Sequence, residues 1–229
     1  MFAAKKLQGA GGTGGITGDL IASGVVYSDT PVVNFGQTIQ AGDLILAGAW
    51  HYARVDWSFS SALNTIHYLS TPLWNTNPNF LGYMQSGYRV CNGSEGTSVS
   101  IGSYSVNQYA GAAALFRFSE PVTGITYNTW QSSYALNGSP TLSYNLTGAG
   151  NNVPQIAWGR DGGYSSGVVP PAQIFSLGGY TSHTTNATTQ LTDAWRLTFS
   201  DENVTWYSSS TFNSSTYHIR AATIIYPTF

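Results

Sequence analysis

No stretch of twelve or more residues in this chain combines helical periodicity with helix-forming composition. What recurs instead, from residue 25 onward, is a segment of strand length, apolar or alternating, closed by Gly, Asn, Ser or Pro. Val32-Val33-Asn34-Phe35 reads as one strand. Gly42-Asp43 reads as a turn into the apolar run Leu44–Trp50, which is short enough for a buried strand. Ala112–Phe118 is a second such run, stopped by Ser-Glu-Pro at Pro121. Trp195, Leu197 and Phe199 alternate with polar residues, and 200–203 reads as the turn of a hairpin that returns through Val204-Thr205-Trp206. Tyr217, Ile219, Ala221, Thr223 and Ile225 alternate in a last strand that Pro227 is expected to end. Residues 60–80 and 128–150, rich in Asn, Thr, Ser and Pro, read as long surface loops. About ten short strands in a chain of this length predict an all-β fold, a jelly-roll-like β-sandwich.

Two segments follow from composition. Residues 1–24 form a Gly-rich N-terminal arm, because the run 9–15 (Gly11 and Gly14 included) loses too much backbone entropy to hold a helix or strand. Lys5 and Lys6 precede it, and the arm is either a flexible tail or an assembly segment that orders against a neighbouring subunit. Residues 25–229 show no linker-like shift in composition and read as one sandwich domain.

Charge narrows the function classes. Only 8% of the 229 residues are Asp, Glu, Lys or Arg, where an ordinary soluble domain has about 25%. Two lysines and six arginines cannot build a phosphate-binding stripe, so nucleic acid is not an expected partner. The N-terminus lacks the charge-then-apolar order of a signal peptide, and no run approaches a membrane span. An extracellular-looking composition without an export signal fits a virus particle released by lysis. Cys91 is the single cysteine, expected as a buried, inert thiol.

Ile39-Gln40-Ala41-Gly42-Asp43-Leu44-Ile45-Leu46 resembles a strand motif of short, mostly uncharacterised virion-associated proteins of marine and cyanobacterial tailed phages, found also in some bacterial proteins. Further elements in the same order are Gly87-Tyr88-Arg89-Val90, Ala114-Leu115-Phe116-Arg117 and Val153-Pro154-Gln155-Ile156, over about residues 8–225. The chain departs from the family's Pro-x-Gly-Trp-Thr element, for which Val55-Asp56-Trp57-Ser58 stands in. The resemblance implies a β-rich phage virion component and no catalytic residues.

Candidate chemical sites are sparse, and no enzyme, cofactor or metal is expected. His51 and Asp56 sit at odd spacing without a nucleophile elbow and read as a sheet-edge histidine and a turn aspartate. His51, His67, His183 and His218 lack metal-ligand spacing. Arg160-Asp161-Gly162-Gly163 reads as an Asp-Gly turn rather than a calcium loop. Six Asn-x-Ser/Thr sequons follow from the abundance of those residues. The functional candidates are aromatics: Trp74, Tyr83, Trp130, Tyr134, Tyr164 and Tyr180 stand among polar residues, as core, subunit-interface or glycan-stacking groups. Trp50, Trp195 and Trp206, on strands, are assigned to the core. The functional expectation is a homotrimeric, surface-exposed virion protein for tail-fibre or host attachment, its arm docked on other virion proteins, with no membrane insertion. Capsid decoration and a carbohydrate-binding tail module are the alternatives.

Overall fold

A computed structural model describes residues 15–52, 57–72, 81–104, 109–135, 142–146, 153–165, 174–175, 181–184, 189–199, 202–208 and 216–229. Among them every regular element is a strand. In the first half these are β1 (Gly18–Tyr27), β2 (Val32–Asn34), β3 (Ala41–Tyr52), β4 (Trp57–Phe59), β5 (Asn64–Pro72), β6 (Leu81–Asn92), β7 (Ser98–Ser100), β8 (Gly102–Tyr104) and β9 (Tyr109–Phe118). The second half holds β10 (Gly124–Ala135), β11 (Leu142–Leu146), β12 (Gln155–Ser165), β13 (Ile174–Phe175), β14 (Thr181–Thr184), β15 (Thr189–Thr198), β16 (Glu202–Ser208) and β17 (Thr216–Thr228).

Two five-stranded sheets dominate, ordered β1-β9-β3-β6-β5 and β10-β17-β12-β15-β14, with antiparallel pairs. Each sheet comes from one half of the chain. Taking the five strands of each sheet in sequence order, both sheets read first-fifth-second-fourth-third. The short strands repeat the correspondence. β2 pairs β7 as β11 pairs β16, and β4 pairs β8 as β13 pairs β16. The sandwich is therefore two topologically equivalent halves packed sheet to sheet.

The relation between the halves follows from their contacts. β1 lies against β15 and β14, and β5 lies against β10, so the strand order of one sheet is reversed over the other. Arg160 of β12 fills the space over Gly48 of β3, and Trp50 of β3 fills the space over Gly162 of β12. β3 and β12 thus run in the same direction. Reversed order with preserved direction is a pseudo-twofold rotation about an axis along the strands. All equivalent strand ends then share a pole. β1, β3, β5, β10, β12 and β14 end at the upper pole, while β1 begins and β17 ends at the lower one.

Continuous apolar runs mark strands buried on both faces. Leu44, Leu46 and Trp50 enter the core between the sheets, with Ala112, Ala114, Phe116, Ile156, Trp158 and Trp195. The intervening Ile45, Ala47 and Ala49 enter a second core with Val33, Phe35, Val99 and Ile101, under the β2–β7 ribbon. On the second sheet, Ala157, Ala194, Ala222 and Ile224 are buried although they alternate with the inward-facing positions. β13 lies against β12 and β15 on that sheet. Cys91 is buried in the second core, and burial pushes its thiol up to about 12.

Several expectations are corrected. Residues 60–80 and 128–150 are not wholly loop: β5 and most of β10 and β11 fall there, because Thr and Tyr favour strands whatever the Asn and Ser around them. β15 and β16 do not form the expected hairpin; they join different sheets. Asp161-Gly162 is not a turn but the middle of β12, its glycine demanded by the Trp50 ring. Residues 18–24, expected in the arm, begin β1, and Pro227 lies inside β17, opposite Ile125. Lys5, Lys6, Gly11 and Gly14 lie outside the described residues.

At the lower pole, two separated pieces of sequence meet. Gly42 forms a bulge in β3 with φ of 83°. Asp43 accepts from Gln40 N at 2.8 Å and takes a bidentate pair from Arg117, Nε at 2.8 Å and Nη2 at 2.7 Å. The bulge in turn anchors the connector between halves, since Val122 N donates to Gly42 O at 3.0 Å. A Cβ at position 42 would stand 2.6 Å from Pro121 Cα. Gly42→Ala is therefore expected to lower unfolding free energy by about 2–4 kcal/mol, through left-handed strain and the clash together. Urea denaturation at neutral pH measures it.

Candidate functional site

The most unusual chemistry lies in the middle of the sandwich. Arg160 and Asp193 are 2% and 0% exposed. Arg160 Nε donates to Asp193 Oδ1 at 2.7 Å, and Trp158 Nε1 donates to the same oxygen at 2.6 Å. The guanidinium carbon stands 5.0 Å from the Trp158 ring centroid. Its Nη1 crosses to the other sheet and donates to Gln85 O at 2.6 Å and Ser86 Oγ at 2.7 Å. Ser86 Oγ also shares a hydrogen bond with His67 Nε2 at 2.9 Å.

Register explains this convergence. Gly48, Ser86 and His67 stand side by side across β3, β6 and β5, while Arg160 and Asp193 are direct partners on β12 and β15. Glycine at 48 leaves the opening through which Arg160 reaches Ser86. Burial lowers the His67 pKa to about 3, and the Arg160 charge pushes the same way. His51, three residues nearer the upper pole on β3, is also brought down to about 3 by burial. His51 is not at a sheet edge as expected; β3 is central, and its ring stacks on Tyr83 with centroids 4.7 Å apart. Ser86 and His67 resemble a nucleophile and base, but Ser86 is fully buried and its oxygen is held by a guanidinium. The arrangement locks two sheets together.

Of the aromatic candidates, Tyr83 lies near the upper-pole end of β6. Tyr134 and Tyr164 occupy the upper-pole ends of β10 and β12, and Trp130 sits four residues lower on β10. Register gathers Tyr83, Tyr134 and Tyr164 at one pole. Trp74 and Tyr180 lie outside the described residues, as does Asp56. Trp50 and Trp195 are in the core as expected. Trp158, Arg160 and Asp193 escaped sequence reasoning. The one available signal was an Arg inside a strand-like stretch flanked by Trp and Gly. Among the described residues no group of three or more His, Cys, Asp or Glu could hold a metal ion. No family model, curated protein or solved structure matches the chain.

Two outcomes test this layer. Arg160→Leu leaves Asp193 buried without its cation and is expected to cost about 3–5 kcal/mol, whereas R160L with D193L recovers most of that. Chemical denaturation of the three proteins reads the coupling. Secondly, below pH 6.5 the unfolded chain binds protons that native His51 and His67 refuse. Stability is expected to fall by about 1.4 kcal/mol per histidine per pH unit between pH 6 and 4. Urea midpoints at pH 7, 6, 5 and 4 follow the slope, and His67→Gln should roughly halve it.

Proposed function

We propose that this chain is a surface-exposed structural protein of a tailed-phage particle, working as a homo-oligomer in tail-fibre or host attachment. The observation that carries the reading is polarity. The chain enters β1 at the lower pole, where Thr17 N donates to Ser119 Oγ. Six strands end at the opposite pole, with Tyr83, Tyr134 and Tyr164 there. An N-terminal arm would thus dock from one end while the other end faces a host surface. Stacking aromatics among Asn, Ser and Thr suit a glycan, whose rings stack and whose hydroxyls accept and donate.

The packed antiparallel sheets are compatible with a β-sandwich, although β5 pairs β6 and β14 pairs β15 within one sheet, where a jelly roll would send that strand to the opposite sheet. A charge content of 8% suits close packing of copies. The arm fits capsid decoration equally well, and this is the second reading.

Cryo-electron microscopy of purified particles of the source phage tests both. Density at the tail tip or fibres is expected. Knobs over the capsid lattice would make it a decoration protein, and absence from the particle would overturn the virion reading. Sedimentation of the purified chain should give about three times 24.5 kDa. On a glycan array, Trp74→Ala and Trp130→Ala are expected to weaken any binding at least about tenfold if their rings stack on sugar.

A further inference from the structure

A protein tethered at one pole and engaged at the other carries tension along its strands. We infer that β1 and β9 form a mechanical clamp that resists extraction of the N-terminal end along the strand axis. The clamp's use in the particle rests on the attachment reading, but its mechanics do not.

The geometry is lengthwise. β1 starts at the lower pole with Gly18 opposite Phe118 and runs to Tyr27, opposite Ala110, at the upper pole. A pull on residue 17 away from the lower pole therefore draws β1 along its own axis. Every pair from Gly18–Phe118 to Tyr27–Ala110 is loaded together, so the ladder cannot open one bond at a time. The same pull applied across the strands would load the Gly18 pair first and the others in succession.

Three features add to the hold. Leu20 and Val25 pack against the core between the sheets, while Ile21, Ala22 and Val26 pack against the core beneath β2 and β7. The strand is thus keyed on both faces and cannot slide without dragging side chains out of both. A bulge between Leu20 and Ala22 breaks the two-residue repeat, so a shifted β1 finds no equivalent register. Finally, Thr17 and Ser119 exchange two bonds at the entry, Thr17 N to Ser119 Oγ at 3.0 Å and Ser119 N to Thr17 O at 2.8 Å. β9 is itself held by β3 on its other side.

Single-molecule force spectroscopy on the full chain tests this. One handle is attached at the N-terminus. The second is placed by Asn107→Cys, two residues before β9 begins at the upper pole, or by Ser94→Cys, exposed at the lower pole and displaced across the sheet. Cys91, buried with its thiol pKa at about 12, does not compete for the label. The first geometry shears β1 against β9; the second peels it. The first rupture is expected at a force at least about twofold higher in shear than in peel, since forced unfolding follows the barrier to rupture rather than equilibrium stability. Ser119→Ala removes one bond at the end that peel loads first, so it should lower the peel force by a larger fraction than the shear force. Equal forces in the two geometries, or a lower force in shear, would overturn the clamp. The particle-location experiment can fail while the clamp stands, and the reverse.

Discussion

The fold depends on one buried ion pair and the two glycines that admit it. Arg160 and Asp193 sit in the contact plane of two sheets from different halves of the chain. A buried charge is costly unless it is engaged, and Arg160 is held through Nε and Nη1 by a carboxylate, a carbonyl and a hydroxyl while lying against an indole. Gly48 and Gly162 make the contact reciprocal. Each provides the gap into which the other half places a large side chain, two residues along its own strand. Such a layer is demanding of alignment: a one-residue slip of β12 would turn Arg160 away from Ser86 and Trp158 away from the core. Its contribution is to fix which way the halves meet, as much as how strongly.

With that contact fixed, the rest of the architecture follows. The halves share one strand order, so a rotation that matches β3 to β12 sends equivalent strand ends to one pole. The lower pole is rich in internal fastening: the Gly42 bulge, the Asp43–Arg117 pair, the connector through Val122 and the Thr17–Ser119 exchange. Ala41-Gly42-Asp43-Leu44 and Phe116-Arg117 are distant in sequence but join in one ion pair. Their physical role is to seat the connector between halves.

Attachment and decoration both need a molecule with two different ends. Here the difference comes from topology. Both halves enter their first strand at the lower pole, so their first connections emerge together at the other. The proposed clamp uses the same polarity, because β1 runs parallel to the line joining the poles.

The sequence alone determined the local grammar. Periodicity and turn residues defined an all-β chain, and the uninterrupted run Leu44–Trp50 marked a strand with two buried faces, since a half-solvated strand would alternate. It also assigned Trp50, Trp195 and Cys91 to the core. What it could not specify was pairing between distant strands. The hairpin read at 195–206 failed because alternation is the same whether a strand returns to its neighbour or crosses to another sheet. His51 was read as an edge residue because nothing local distinguishes a central strand from an outer one. Arg160 read as part of a turn because Asp-Gly is a turn signal in isolation, and only the Trp50 ring from the other half shows why a glycine stands at 162. The repeated strand order, the common pole and the buried ion pair are properties of long-range packing. They exist only when strands distant in sequence are brought together: Arg160 meets Asp193 across 33 positions and Ser86 across 74.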